Sequence, residues 1–407
     1  MRLLPTQVVI AGLSGLLACT DADCPDGFEK NADGLCVEVD EEADADADSD
    51  ADADADSDAD SDADADGDSD ADTDTDADAD PAPYTVCDDG MAPYTSVQDA
   101  VDGAADGGVV TVCEGVWGGA YVYDKDLSII GVGSAATTLF SSTGPAVRVI
   151  GHALSLSDLT LRGFGADASE GGALDAEDAD LALHRVEISG GSTATLLAQD
   201  GGTVDFDGLS VRSNAYPVDS RDPSYLALLN DVRGTIVHTT VQDNTSYVGF
   251  QIRESEVSLT NNVFSGNTAN YILNLGGDTT GDYQVYNNVF YDSRPESTED
   301  YSVMLQLIHT DYQNNIVSGT THTYVIYAAV DTNQYNLFWD YTGVNGGGGT
   351  ELITADPAFT DPAAGDFSLR AGYSPAIDAG NPDARFNDTD GSRADLGVYG
   401  GPEGSGW

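Results

Sequence analysis

The sequence predicts an all-β solenoid, coil stacked on coil, with a short N-terminal capping helix and a disordered acidic linker ahead of it. Strand-like phrases recur at intervals averaging about 26 residues, a period typical of stacked architectures. One column within those phrases is apolar in every copy. The third observation is a long acidic run that carries no core-forming residues apart from alanine. The chain has 407 residues with 72 Asp+Glu against 14 Lys+Arg, a net charge of −58, which disfavours phosphate backbones and so excludes nucleic acid as a partner. At 41% hydrophobic it still holds enough apolar material for a sizeable core. Beyond the first residues, no stretch reaches the roughly 18 to 20 apolar residues that span a bilayer.

Residues 1–18 read as an export signal. Arg2 supplies a positive start, Val8 to Leu17 an apolar centre, and Leu16-Leu17-Ala18-Cys19 ends with small residues before a cysteine. The stretch resembles a bacterial lipoprotein signal peptide, whose box is Leu-x-(Ala/Gly)-Cys. That resemblance implies lipidation of Cys19 and a hold on the membrane through acyl methylenes buried at about 0.8 kcal/mol each. An ordinary secretory peptide cut nearby is the alternative. Both place the protein outside the cytoplasm; the first makes it an outer-membrane lipoprotein of the cell envelope, facing the exterior or the periplasm.

Residues 19–39 are expected to form a short cysteine-bridged segment. With Cys19 set aside for lipid, Cys24, Cys36, Cys87 and Cys113 are even in number, in a compartment where disulfides persist. Of the three pairings, Cys24–Cys36 and Cys87–Cys113 is favoured because each pair flanks one local unit. Four thiolates around a metal is the alternative, although the close Cys-x-x-Cys spacing and a nearby histidine are missing. Residues 40–80 then carry 22 of the 72 acids at nearly every second position, with no Lys or Arg. Like charges two residues apart repel, which predicts an extended, solvated spacer of roughly 100 Å.

The folded domain is expected over residues 81–407. Ser96 and Asp99 give a capping-box signature, and Val97, Ala100, Val101 and Ala104 share one helical face before Gly107-Gly108 stop it. A strand over Val109 to Val112 follows. The repeat then aligns phrases beginning at Leu127, Leu159, Val186, Leu209, Thr239, Asn262, Asn288, Asn315 and Asn336. Two residues past each anchor lie Ile129, Leu161, Ile188, Val211, Val241, Phe264, Phe290, Val317 and Phe338, all apolar and expected to stack inside. The anchors share their direction, so Asn262, Asn288, Asn315 and Asn336 are expected to form an inward ladder. Asn214, Asn244 and Asn267 suggest a second ladder at a turn. One position past the anchors, an outward column turns apolar at Val263, Val289, Ile316 and Leu337, which predicts a docking surface or a covering loop.

Rungs of this length, rich in Val, Ile, Thr and Asn with Gly at the corners, resemble a right-handed parallel β-helix, similar to the pectin-lyase-like superfamily. Residues 94–117 look like that superfamily's N-terminal helix cap and first rung, and residues 366–400 resemble the closing segment of many secreted β-helix repeat proteins. The resemblance implies the fold; activity has to come from sites. Pectin-hydrolysing members carry Asn-Thr-Asp, Asp-Asp, Gly-His-Gly and Arg-Ile-Lys in consecutive rungs. Here Asp88-Asp89 precedes the coil, Gly151-His152 is followed by Ala153, and the rest is missing. The Arg- or His-bearing signatures of calcium-dependent pectate lyases and alginate epimerases are missing too.

The remaining catalytic candidates are Arg162, Arg212, His238 and Arg253. Arg162 and Arg212 both stand three past their anchors, facing outward two rungs apart, about 9.6 Å; Arg233, Asp243 and Tyr247 are expected nearby. Such a cationic, aromatic groove suits the carboxylates of a uronic-acid polymer; scattered surface arginines balancing nearby acids is the bland alternative. Tyr247, Tyr271, Tyr286 and Tyr291 are the candidate ligand-binding rings, since tyrosine offers sugars an apolar body and a polar tip; they are equally ordinary strand formers. Asp388, Asp390 and Asp395 around Gly391 form either a Ca2+-binding turn or an unmetallated Asx turn. Two functions follow as expectations: noncatalytic binding or adhesion to a polysaccharide or surface-protein partner, or, as the alternative, a polysaccharide lyase or other carbohydrate-active enzyme acting on acidic glycans.

Overall fold

The computed structural model describes residues 28–30, 36–38, 84–163, 172–191, 195–216, 224–276, 281–296, 302–346 and 348–407. The chain divides into two units, Met1–Thr75 and Asp76–Trp407. In the first, Phe28–Lys30 and Cys36–Glu38 pair antiparallel, with Phe28 opposite Glu38. Cys19 as the expected lipid site, Cys24 with its expected bridge to Cys36, and the expected linker 40–80 lie outside the described residues.

The second unit is a parallel β-solenoid with three strands per coil. One coil shows the plan: Val248–Arg253 on the first face, Glu256–Thr260 on the second and Val263–Ser265 on the third. Strands one coil apart pair in parallel, Phe250 with Leu273, Leu259 with Val285 and Phe264 with Phe290. The third face is one ten-stranded sheet running from Gly115–Gly118 to Leu337–Tyr341. In Leu174–His184 and Thr195–Asp207 the first two faces run on as a single long strand.

Short alternating strands suit this plan because every inward residue meets its counterpart above and below. On the third face the buried row runs Leu139, Leu161, Ile188, Val211, Val241, Phe264, Phe290, Val317 and Phe338, each pairing with the next. All are 2% exposed or less, and Phe264 and Phe290 stack with centroids 5.1 Å apart. Eight of the nine aligned residues belong to this row. Ile129 does not: its strand, Leu127–Ile130, lies on the second face, where Ile129 pairs with Leu156. Alternation has the same period on every face, so Leu127–Ile130 matched the repeat by pattern alone, and Leu139 holds the place assigned to it.

The asparagine ladders form as expected. Asn262, Asn288 and Asn315 each donate from Nδ2 to the next Oδ1, at 2.9, 3.0 and 3.0 Å, and the ladder ends on Asn336. Asn214 and Asn244 do the same at the next corner, each at 3.0 Å, ending on Asn267. The helix Val97–Gly103 closes the N-terminal end, with Ser96 Oγ accepting from the Asp99 N–H at 3.4 Å and Val97, Ala100 and Val101 buried on the first coil. Cys87 and Cys113 are disulfide-bonded, Cα atoms 5.3 Å apart, beside the parallel pair Val86–Val112.

The outward stripe is covered by the chain itself. Val263, Val289, Ile316 and Leu337 form a second core with Phe359, Phe367, Ala376, Leu396 and Val398 of the C-terminal segment. At Gly397, whose φ is +83°, an added Cβ would stand 2.9 Å from Ile316 Cδ1 and 3.1 Å from Val289 Cγ2. Only glycine lets the backbone lie that close. Of the two expectations for this stripe, the covering segment is the one observed.

Candidate functional site

The site begins with the alternation of the third-face strands. Where Leu161, Ile188 and Val211 point in, the residues after them point out, giving an exterior row that runs from Phe140 through Arg162, Ser189 and Arg212 to Gln242, beyond which Ser265 is buried. Arg162 and Arg212 stand two rungs apart with Ser189 between them, as the spacing predicts. They line one open cleft of about 440 Å³ together with Thr138, Thr160 and Glu187.

Glu187 sits one outward position earlier, on the rung between the two arginines. Its Oε2 accepts from Arg212 Nε at 2.8 Å and Nη2 at 2.5 Å. Those bonds raise the Arg212 pKa above its ordinary value, and they fix the carboxylate, which is 13% exposed, beneath a guanidinium that is 55% exposed. Arg162 is exposed and makes no ion pair among the described residues. Among the described residues the cleft therefore presents one committed cation, one held carboxylate and one open guanidinium.

The other two catalytic candidates are elsewhere. His238 is at the corner between the second and third faces. Its Nδ1 is 2.9 Å from Asp207 Oδ1, its Nε2 is 2.8 Å from the Glu403 carbonyl, and Trp407 meets the ring edge-on. Both ring nitrogens are occupied, and Nε2 tethers the C-terminal segment, a role hidden from sequence reading because Glu403 lies 165 residues away. Arg253 projects from the first face, opposite Asn230, and Arg233 pairs with Glu256 at 3.3 Å.

Sequence reasoning missed a first-face cleft of about 390 Å³ that includes Arg148, Asp175, Glu177 and Asp200. Arg148 Nε lies 3.2 Å from Asp175 Oδ2, and Nη2 lies 3.9 Å from Glu177 Oε2. The signal was present in Leu174–Glu177, where acids alternate with apolar residues and so must face outward together.

The four tyrosines divide into two pairs. Tyr247 and Tyr271 are neighbours, centroids 6.1 Å apart, and burial followed by the Tyr247 phenol raises the Tyr271 pKa. Tyr286 donates to Asp311 Oδ2 at 2.5 Å and packs edge-on to Phe386, so burial and then Asp311 push its pKa well up. Tyr291 packs against Phe359 and Phe367. The second pair thus anchors the C-terminal segment.

The terminal aspartates accept from backbone. Asp388 takes the N–H groups of Asp395 and Gly401, Asp395 takes that of Asp378 at 2.7 Å, and Asp390 takes that of Ser392 at 2.9 Å. Burial, the largest cause, raises the pKa of Asp388 and of Asp395. Among the described residues no group of three His, Cys, Asp or Glu is placed to hold a metal ion.

No family model matches the chain, and no curated protein matches its sequence. Among solved structures it is similar to the pectin methylesterase from carrot, at 13% identity over 71% of this chain and 98% of that one, with a TM-score of 0.28. It is similar to the pectin methylesterase PemA from Erwinia chrysanthemi at 11% identity, covering 72% and 99% of the two chains with a TM-score of 0.25. A mutant form of the PL6-family alginate lyase AlyGC matches at 13% identity over 67% of this chain and 54% of that one, again with a TM-score of 0.25. Likenesses this slight carry no argument about the chemistry of the clefts described above.

Proposed function

We propose that the protein is a lipid-anchored envelope protein whose solenoid binds an acidic polysaccharide, without cleaving it, in the cleft between Arg162 and Arg212. The observation that carries this reading is the open Arg162 guanidinium beside the Arg212–Glu187 pair on an exposed sheet face. A guanidinium offers a uronate carboxylate a planar fork of donors, and such charge-assisted pairs are about twice as strong as neutral ones. Lyase chemistry would need a free base beside the cation that neutralises the substrate carboxylate. Glu187 is held by Arg212, and His238 spends both nitrogens on Asp207 and Glu403. Recognition therefore fits the cleft better than catalysis. The anchor follows from the Leu16-Leu17-Ala18-Cys19 box.

The test is calorimetric titration with a galacturonate hexasaccharide. Arg162→Ala is expected to weaken binding at least tenfold, in keeping with the roughly 1.5 to 3 kcal/mol of a hydrogen bond to a charged group, while the ultraviolet absorbance of unsaturated products stays flat. Equal affinity in the variant would refute the site, and a rising absorbance would refute the noncatalytic reading. For the anchor, Cys19→Ala is expected to move the protein from the detergent to the aqueous phase in a cloud-point partition of expressing cells.

A further inference from the structure

Beyond the buried stretch of that row a second cleft, of about 520 Å³, opens between the coil and the C-terminal segment. The register runs on through Ser265 and Ser318, both buried, and Tyr291, which packs on the second core, to Trp339, five rungs beyond Arg212 and so about 24 Å along the axis. Trp339 lines the coil wall and is 40% exposed, although neighbouring apolar residues of its strand are buried. A large ring left in water beside the buried Leu337 and Phe338 offers a contact surface.

The chemistry of this cleft differs from that of the first. Asp292 is held by Arg294 Nη2, with both oxygens at 2.9 Å. Asp356 accepts the Ala358 N–H at 2.8 Å, and Arg370 turns its Nε to the Ala358 carbonyl at 3.4 Å. Asp340 also lines the cleft and makes no ion pair among the described residues. Three carboxylates against two guanidiniums leave a net negative wall, which repels a uronate. Paired donors and acceptors beside an indole suit an uncharged sugar instead: vicinal hydroxyls bond the carboxylates and guanidiniums, and the C–H face of the ring lies on the indole.

We infer that the cleft around Trp339 is a subsite for an uncharged hexosyl unit, so that the third face carries two separate subsites, one for acidic units and one for neutral units about 24 Å away. This deepens the function proposed for Arg162 and Arg212 and rests on it. The experiment titrates the full chain with hexasaccharides of glucose, of galactose and of galacturonate, following Trp fluorescence and heat. At least one neutral hexasaccharide is expected to bind and to lose tenfold or more in Trp339→Ala, with near-complete recovery in Trp339→Phe. Arg370→Gln, which leaves the coil untouched, is expected to lose threefold or more. The inference is overturned if neither neutral hexasaccharide binds, or if Trp339→Ala and Arg370→Gln both bind as the parent does. Loss of galacturonate binding alone, with neutral binding intact, would sink the first cleft and spare this one.

Discussion

His322 is fully buried, and both of its ring nitrogens are bonded within the coil. Nε2 lies 2.8 Å from the Ala269 carbonyl and Nδ1 lies 2.8 Å from Thr320 Oγ1. Nε2 must donate to that carbonyl, so Nδ1 is the acceptor of the threonine hydroxyl in a neutral ring. Burial pushes the pKa down to about 4, against a smaller upward contribution from the Ala269 bond. The sign follows directly: between about 4 and the ordinary 6.5 the unfolded chain binds a proton that the folded chain refuses, so stability falls as pH drops through that window. The full effect is about 3 kcal/mol. Urea unfolding of the parent and of His322→Gln, measured from pH 7 to pH 4, should give curves that converge by that amount as pH falls, since all other titrating groups are shared. Parallel curves would show that the ring is not held neutral.

At the scale of elements, the ladder Asn262–Asn288–Asn315–Asn336 binds successive coils by side chain as well as by backbone. Asn288 Nδ2 reaches the Leu259 carbonyl at 2.9 Å as well as Asn315, and its Oδ1 accepts from the Asn262 N–H and Nδ2, both at 2.9 Å. Replacing it with leucine keeps the volume and strands donors on the rung before it and carbonyls on both sides. Each buried group left unpaired costs roughly 1 to 3 kcal/mol, so Asn288→Leu should lose about 3 kcal/mol or more in equilibrium unfolding. A loss below about 1 kcal/mol would mean that neighbouring groups re-pair. This ladder was legible because it repeats at fixed spacing. The residue before each ladder position was not. Asn261, Asn287 and Asn314 occupy the left-handed corner, with φ of +53°, +55° and +60°, and their side chains serve the C-terminal segment: Asn261 Nδ2 bonds the Val398 and Gly400 carbonyls at 2.8 Å, and Asn287 Nδ2 bonds that of Asp395 at 2.9 Å. The Asn-Asn doublets were visible signals of one corner and one inward residue, since asparagine tolerates that conformation better than most. What they hold could not be read, because nothing local in the sequence marks residues 395–400 as their partner. The cleft divides the same way: the row holding Arg162 and Arg212 follows from period 2, whereas Glu187 as the partner of Arg212 needed the register.

For the whole molecule, the C-terminal segment decides which parts of the third face meet solvent. Ending the chain after residue 355 uncovers Val263, Val289, Ile316 and Leu337, side chains worth about 1.5 to 3 kcal/mol each when buried. Static light scattering should then report self-association that the full chain does not show at equal concentration; identical scattering would mean that the stripe is harmless without its cover. The outer field acts on a longer scale. A chain of net charge −58 repels a polyuronate well before the ligand reaches Arg162. At about 10 mM salt the Debye length is about 30 Å, so the repulsion of the whole surface is felt; at about 150 mM it shrinks to about 8 Å, and only charges lining the cleft still act. The short contact between Arg162 and a bound carboxylate is screened much less than that distant repulsion. Raising salt across this range should therefore speed association of a galacturonate hexasaccharide several-fold, the reverse of ordinary electrostatic steering, while the dissociation rate rises only modestly. Stopped-flow mixing at four or five salt concentrations measures both. An association rate that falls steadily with salt would mean that the arginine row governs the approach as well as the grip.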